Sequence, residues 1–143
     1  MFSTIILGAG KSTRMKANKS KLLFDIAGKP IITHIIEAVR QAKCSEIICV
    51  VNRESKDLVQ LLKDHKVNIA FQKKSNGTAG AAEAGNKIIS SKNRKVLILC
   101  GDAPFITTQS IKSMIKKISN ADACVGTVEL DIPKGYGRII RQG

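Results

Sequence analysis

Hydrophobic positions along the chain fall into two recurring patterns. Residues 4–7, 47–51, 69–71 and 96–99 are short, nearly continuous apolar runs. Such runs mark strands covered on both faces of a parallel sheet, since a half-exposed strand would alternate apolar with polar residues. Between these runs, apolar residues recur at helical spacing. Ile32, Ile35, Ile36 and Val39 share one face after Pro30, whose missing N–H costs nothing at a helix start. Leu58, Leu61 and Leu62 follow Ser55, and Ile111, Met114, Ile115 and Ile118 follow Thr107 and Thr108; these hydroxyls are candidate N-caps. Alternation of strand and helix predicts an α/β fold with a mostly parallel sheet. Residues 124–128 and 138–140 are further strand candidates. Right-handed crossovers gather ligands at the carboxyl ends of such strands.

The turn after the first run is rich in glycine and charge: Leu7-Gly8-Ala9-Gly10-Lys11-Ser12-Thr13-Arg14-Met15. Gly8 and Gly10 permit positive φ and let backbone N–H groups approach an anion closely, with Lys11 and Arg14 adding charge. Two familiar phosphate motifs fail here. A P-loop needs a glycine where Ile5 stands, inside the strand, and the third glycine of a dinucleotide fingerprint would fall on Thr13. The bland alternative is a tight strand-to-helix turn.

Three later features could join this loop. Asp102, in Cys100-Gly101-Asp102-Ala103-Pro104, follows a strand and could coordinate Mg²⁺, although a turn or cap role is open to any such aspartate. Gln72 offers a donor and an acceptor to a base edge, and Gly77 in Asn76-Gly77-Thr78-Ala79 allows close approach; the small residues running to Gly85 could equally be a helix start packed tightly on the sheet. Lys21, before Leu22-Leu23-Phe24, could reach back toward phosphate or simply point into solvent.

Composition narrows the classes. A net charge of +13 invites a nucleic-acid reading, but 18 of the 24 basic residues are lysines scattered in ones and twos, the pattern of a solvated surface. Aromatic residues make up 3% of the chain, too few for base-stacking recognition of single strands. A basic nucleic-acid-binding module is therefore the third choice. Cys44, Cys49, Cys100 and Cys124 lack metal-site spacing and read as reduced, buried small hydrophobes. His34 and His65 read as structural or solvent-exposed. No leader or membrane-spanning run is evident, and a cytoplasmic location without a membrane partner is the expectation.

Taken in order, Leu7–Met15, Lys21-Leu22-Leu23 with Ala27-Gly28-Lys29-Pro30, Gln72 with Gly77-Thr78-Ala79, Gly101-Asp102-Ala103-Pro104, and Val128-Glu129-Leu130-Asp131 with Gly135-Tyr136-Gly137-Arg138 resemble the sugar-phosphate nucleotidylyltransferases. The bacterial N-acetylglucosamine-1-phosphate uridylyltransferases are most alike. The resemblance implies a Rossmann-like three-layer sandwich of nucleotide-diphospho-sugar transferase type, with residues 1–143 forming the N-terminal, nucleotide-binding part of one domain and no second domain. It implies transfer of UMP from UTP to N-acetylglucosamine 1-phosphate with release of pyrophosphate and Mg²⁺ as cofactor. Leu7, Ala9, Gly10 and Lys11 would face the nucleotide, and Arg14 and Lys21 would be the catalytic cations. Gln72, Gly77 and Thr78 would recognise the base, Asp102 would bind the metal, and Gly137 would meet the sugar phosphate. Three residues depart from the family pattern: Ser12 for glycine, Gly8 for alanine and Ser20 for proline. The family's remaining sugar-site residues and second metal ligand would lie beyond Gly143, so the residues leave open an active enzyme, a nucleotide-binding remnant, or one part of a split protein that self-associates or takes a complementing chain.

Overall fold

The computed structural model describes residues 1–10, 19–72, 77–90 and 95–141. Four parallel strands form one sheet: β1 (Ser3–Leu7), β4 (Glu46–Val51), β5 (Asn68–Phe71) and β6 (Val96–Cys100), in the order β5-β4-β1-β6. Each expected run is thus a strand, within one residue at either end. β1 lies between two neighbours, with Ser3 beside Glu46 on one side and Val96 on the other. A small antiparallel hairpin, β2 (Asp25–Ile26) and β3 (Lys29–Pro30), leads directly into α1 (Ile31–Gln41). The remaining helices are α2 (Lys56–Asp64), α3 (Gly77–Asn86) and α4 (Thr108–Lys117).

Alternate residues of the buried strands face opposite layers, as the pleat requires. On one face Ile6, Cys49, Val51, Leu97 and Leu99 pack with Ile32, Ile35, Ile36 and Val39 of α1, Leu58 and Leu62 of α2 and Ile111 of α4. On the other, Ile5, Ile48, Val50 and Ala70 pack with Ala81 of α3. The three-layer sandwich is therefore as expected. At α4 the Thr107 hydroxyl accepts from the Ser110 N–H at 3.1 Å, whereas Ser55 makes no side-chain cap bond at α2.

Three expectations need correction. Residues 121–141 form neither strand nor helix, and nearly all are exposed, including Val125, Val128 and Ile140. A strand needs a hydrogen-bonded neighbour to be stable in water, and the segment pairs with no described strand. Of the cysteines, all four free, Cys49 is buried and its thiol is pushed up to about 12 by desolvation; Cys44 is half-buried, and Cys100 and Cys124 are exposed. Gly8 and Gly10 do not adopt positive φ; at Gly8 it is close packing that limits the side chain. Among the described residues no helix is long and apolar enough to cross a membrane.

Candidate functional site

At the carboxyl ends of the strands lies a cleft of about 240 Å³. Its floor and walls come from four separate stretches of chain: Leu7, Gly8, Ala9 and Gly10 after β1; Lys21 and Leu22 before the hairpin; Gln72, Gly77, Thr78 and Ala81 between β5 and the first turns of α3; and Cys100 with Asp102 after β6. Eight of the residues singled out from sequence meet here: Leu7, Ala9, Gly10, Lys21, Gln72, Gly77, Thr78 and Asp102. Lys11 and Arg14 lie outside the described residues, as does Ser12. Gly137 sits in the exposed 121–141 segment and does not line the cleft.

The loop after β1 is held from below. The Gly8 N–H donates to the Val50 carbonyl at 2.8 Å and the Gly101 N–H to the Leu7 carbonyl at 3.0 Å. A Cβ on Gly101 would stand 2.8 Å from the Leu7 carbonyl oxygen, and one on Gly8 would stand 3.0 Å from both Leu22 Cδ1 and the Val50 carbonyl oxygen. Close approach of the Leu7 backbone, rather than an unusual φ, is what demands glycine at Gly101, while at Gly8 the Val50 backbone and Leu22 leave a Cβ little room. Asn52, just past β4, completes the support by donating from Nδ2 to the Ala9 carbonyl at 2.7 Å. Sequence reasoning passed over Asn52; a polar residue directly after a buried strand, on the side where ligands gather, was the available signal. Cys100, whose thiol is exposed beside Asp102, was also not foreseen as a wall of the cleft.

Charge across the cleft is paired. The Lys21 ammonium donates to the Asp102 carboxylate, although the two are 81 positions apart. Hydrogen bonding from Lys21, opposed by partial burial and assisted by the ammonium's charge, holds the Asp102 carboxyl below its ordinary value. Gln72 is half-buried: its backbone N–H bonds the Val51 carbonyl at 3.1 Å and its Nε2 donates to the Gly77 carbonyl at 3.2 Å. This bond ties the end of β5 to the start of α3. His34, bonded through Nε2 to the Ile26 carbonyl at 2.7 Å, and His65, at the end of α2, stand away from the cleft lining.

Among the described residues no three His, Cys, Asp or Glu side chains cluster as a ready-made metal cage. Asp102 is the acidic side chain on the cleft wall, and it already takes a cation as its partner. One carboxylate suits Mg²⁺, which keeps several waters and completes its shell with substrate phosphate oxygens.

Comparison with known proteins gives a consistent picture. The family model described as MobA-like NTP transferase domain matches residues 4–133. A bifunctional protein GlmU from Staphylococcus saprophyticus is 37% identical over 139 residues, covering 96% of this chain and 31% of that protein; one from Staphylococcus haemolyticus is 34% identical over 141 residues. The chain thus spans about a third of the length of the curated relatives it matches. Among solved structures, a nucleotidyl transferase from Methanothermobacter thermautotroptrophicus superposes with a TM-score of 0.70 at 19% identity, over 81% of this chain and 57% of that one. A 4-diphosphocytidyl-2C-methyl-D-erythritol synthase from Anaerococcus prevotii gives 0.67 at 21% identity, over 83% and 51%; these two establish the fold.

Proposed function

This chain belongs to the MobA-like NTP transferase domain family, and from that premise we propose that its cleft binds UTP with Mg²⁺ and serves transfer of UMP to N-acetylglucosamine 1-phosphate. The observation that carries the reading is the convergence in one cleft of the β1 loop, Lys21, Asp102 and the Gln72–Gly77–Thr78 corner. The choice of UTP and of the sugar phosphate rests on the GlmU relatives, which match over nearly all of this chain.

In the proposed reaction a phosphate oxygen of the sugar 1-phosphate attacks the α-phosphorus of UTP. The bond to the β-phosphate oxygen breaks, and pyrophosphate leaves with its electrons. No covalent intermediate on the protein is required, so the work is positioning and charge compensation. Backbone at Leu7, Ala9 and Gly10 faces the nucleotide, Gln72, Gly77 and Thr78 hold the uracil edge, and Lys21 neutralises phosphate. By the family resemblance Lys11 would join the nucleotide contacts and Arg14 the phosphate charge, whereas the sugar-phosphate role expected of Gly137 is not supported by its place outside the cleft lining. Asp102 would hold the Mg²⁺, which supplies further charge compensation to the phosphate oxygens. Lys21 and Asp102 occupy each other until nucleotide arrives. Lys21 then turns from Asp102 to phosphate, freeing the carboxylate, and the exchange leaves neither charge unpaired. A cytoplasmic location belongs to this same reading.

The test is pyrophosphate release from UTP, Mg²⁺ and N-acetylglucosamine 1-phosphate, with Asp102→Ala as control and thermal stabilisation by UTP as a parallel readout. Release above the control supports the whole reading. UTP-dependent stabilisation without release would assign the chain nucleotide binding alone, and neither effect would sink the proposal. Steeply salt-dependent binding to duplex or single-stranded nucleic acid would instead favour a basic binding module.

A further inference from the structure

We infer that Asn52 is a positioning residue that aims the phosphate-facing backbone of the β1 loop. The inference rests on the nucleotide reading above but begins from a contact that reading does not use. Asn52 is half-buried, directly follows β4, and is absent from the cleft lining, while Ala9 and Gly10 form part of it. Its Nδ2 donates to the Ala9 carbonyl at 2.7 Å. Only the amide nitrogen can donate to a carbonyl oxygen, so the orientation of the Asn52 amide is fixed by the bond itself.

A peptide unit is planar and trans, so its C=O and N–H point in opposite directions. Anchoring the Ala9 carbonyl to Asn52 therefore turns the Gly10 N–H away from Asn52, toward the open side of the loop. Among the described residues, chain neighbours aside, no atom lies within 4 Å of where a Gly10 Cβ would be, and Gly10 lines the cleft, so the loop is open on the side a ligand would approach. The Leu7–Gly8 peptide, two units earlier, is fixed as well, by the Gly8 N–H bond to the Val50 carbonyl near the end of the same strand. Two bonds from the β4 end, one to Gly8 N–H and one to Ala9 C=O, thus set the loop before any ligand arrives. An N–H already aimed at its acceptor binds without first losing freedom, which is the source of the gain.

The experiment has two arms. In nucleotide-free protein, ¹⁵N relaxation should show lower order parameters at Ala9 and Gly10 for both Asn52→Ala and the isosteric, non-donating Asn52→Asp. Cys49 and Val50 in the strand should stay rigid. In the binding arm, UTP affinity of Asn52→Ala should fall on the order of tenfold, the scale of one lost hydrogen bond, with a smaller loss for UMP. Unchanged order at Ala9 and Gly10 in both variants would overturn the positioning role, as would equal losses for UTP and UMP or unchanged UTP affinity. Loss of order in a protein whose wild type binds no UTP would overturn the nucleotide reading while leaving the mechanical role of Asn52 in place.

Discussion

Replacing Gly85 by alanine should destabilise the protein, although it exchanges the poorer helix former for the best one. Gly85 lies near the end of α3 and is buried against the sheet. An added Cβ would stand 2.6 Å from Ile5 Cγ2, 3.2 Å from Ile5 Cγ1 and 3.1 Å from Val50 Cγ2. Carbon atoms are comfortable at about 3.5–4.0 Å, so α3 must retreat by roughly 1 Å or Ile5 must move. Ile5 is β-branched, 1% exposed and in the central strand, with little rotamer freedom to yield. Overpacking of this kind costs about 1–3 kcal/mol, set against about 1 kcal/mol of helix propensity gained. The difference is a net loss of about 0–2 kcal/mol, and the 2.6 Å contact with a locked Ile5 puts it in the upper half of that range, a fall in Tm of roughly 4 °C per kcal/mol for a chain of this size. Urea denaturation of Gly85→Ala measures it directly. Ile5→Leu removes the methyl at closest approach, so the double variant Ile5→Leu/Gly85→Ala should lose less than the two single changes together. A Gly85→Ala protein as stable as wild type, or more stable, would refute the claim that α3 sits at the limit of approach.

The hydroxyl of Thr33 on α1 is buried without a hydrogen-bond partner among the described residues, so Thr33→Val should leave stability unchanged or raise it by up to about 1 kcal/mol, read from the same urea titration. Thiol labelling at pH 8 should modify Cys100 and Cys124 first and Cys49 only on unfolding, because the Cys49 thiol is buried and pushed up to about 12; UTP should slow the reaction of Cys100 but not of Cys124. Asp102→Asn should cost less than about 1 kcal/mol at neutral pH, since the pair with Lys21 is half-exposed and screened. Because the native carboxyl is held below the ordinary 3.8, that difference is fully present above 3.8 and disappears as the pH falls through the native value. Parallel thermal scans of wild type and variant across pH 2–7 check this, and a gap that widens toward acid would contradict the assigned cause.

The buried strands were legible because each carries an unbroken apolar run, and α1 and α4 because their apolar residues recur on one face. The cleft's contributors were legible as polar or small residues just past those runs. What the sequence could not display were relations between distant positions. Nothing around Lys21 announces that its partner is Asp102, and nothing around Asn52 announces Ala9. Gly8 looked like a conformational glycine, yet the limit on its side chain is set by Leu22 and Val50, distant in sequence, beside it. The runs at 124–128 and 138–140 suggested strands, but apolar content records only a capacity to pair, and no described strand lies alongside either.

The central place of β1 also governs when this site can exist during synthesis. Ser3–Leu7 is made before the other three strands of its sheet, yet its two neighbours begin at residues 46 and 96. At about 5–20 residues per second, roughly 5–20 s pass before β6 can close its second edge. Through that interval Ile5, Ile6 and Leu7 are without their final cover, and the pairing that protects them is the most distant in the chain, a slow kind of contact to form. Gly101 and Asp102 follow β6 immediately, so the last strand needed to shield β1 also delivers the last described wall of the cleft. Protection of β1 from misassembly and completion of the described cleft are therefore one event, and a nascent chain cannot acquire that cleft before β6 has paired.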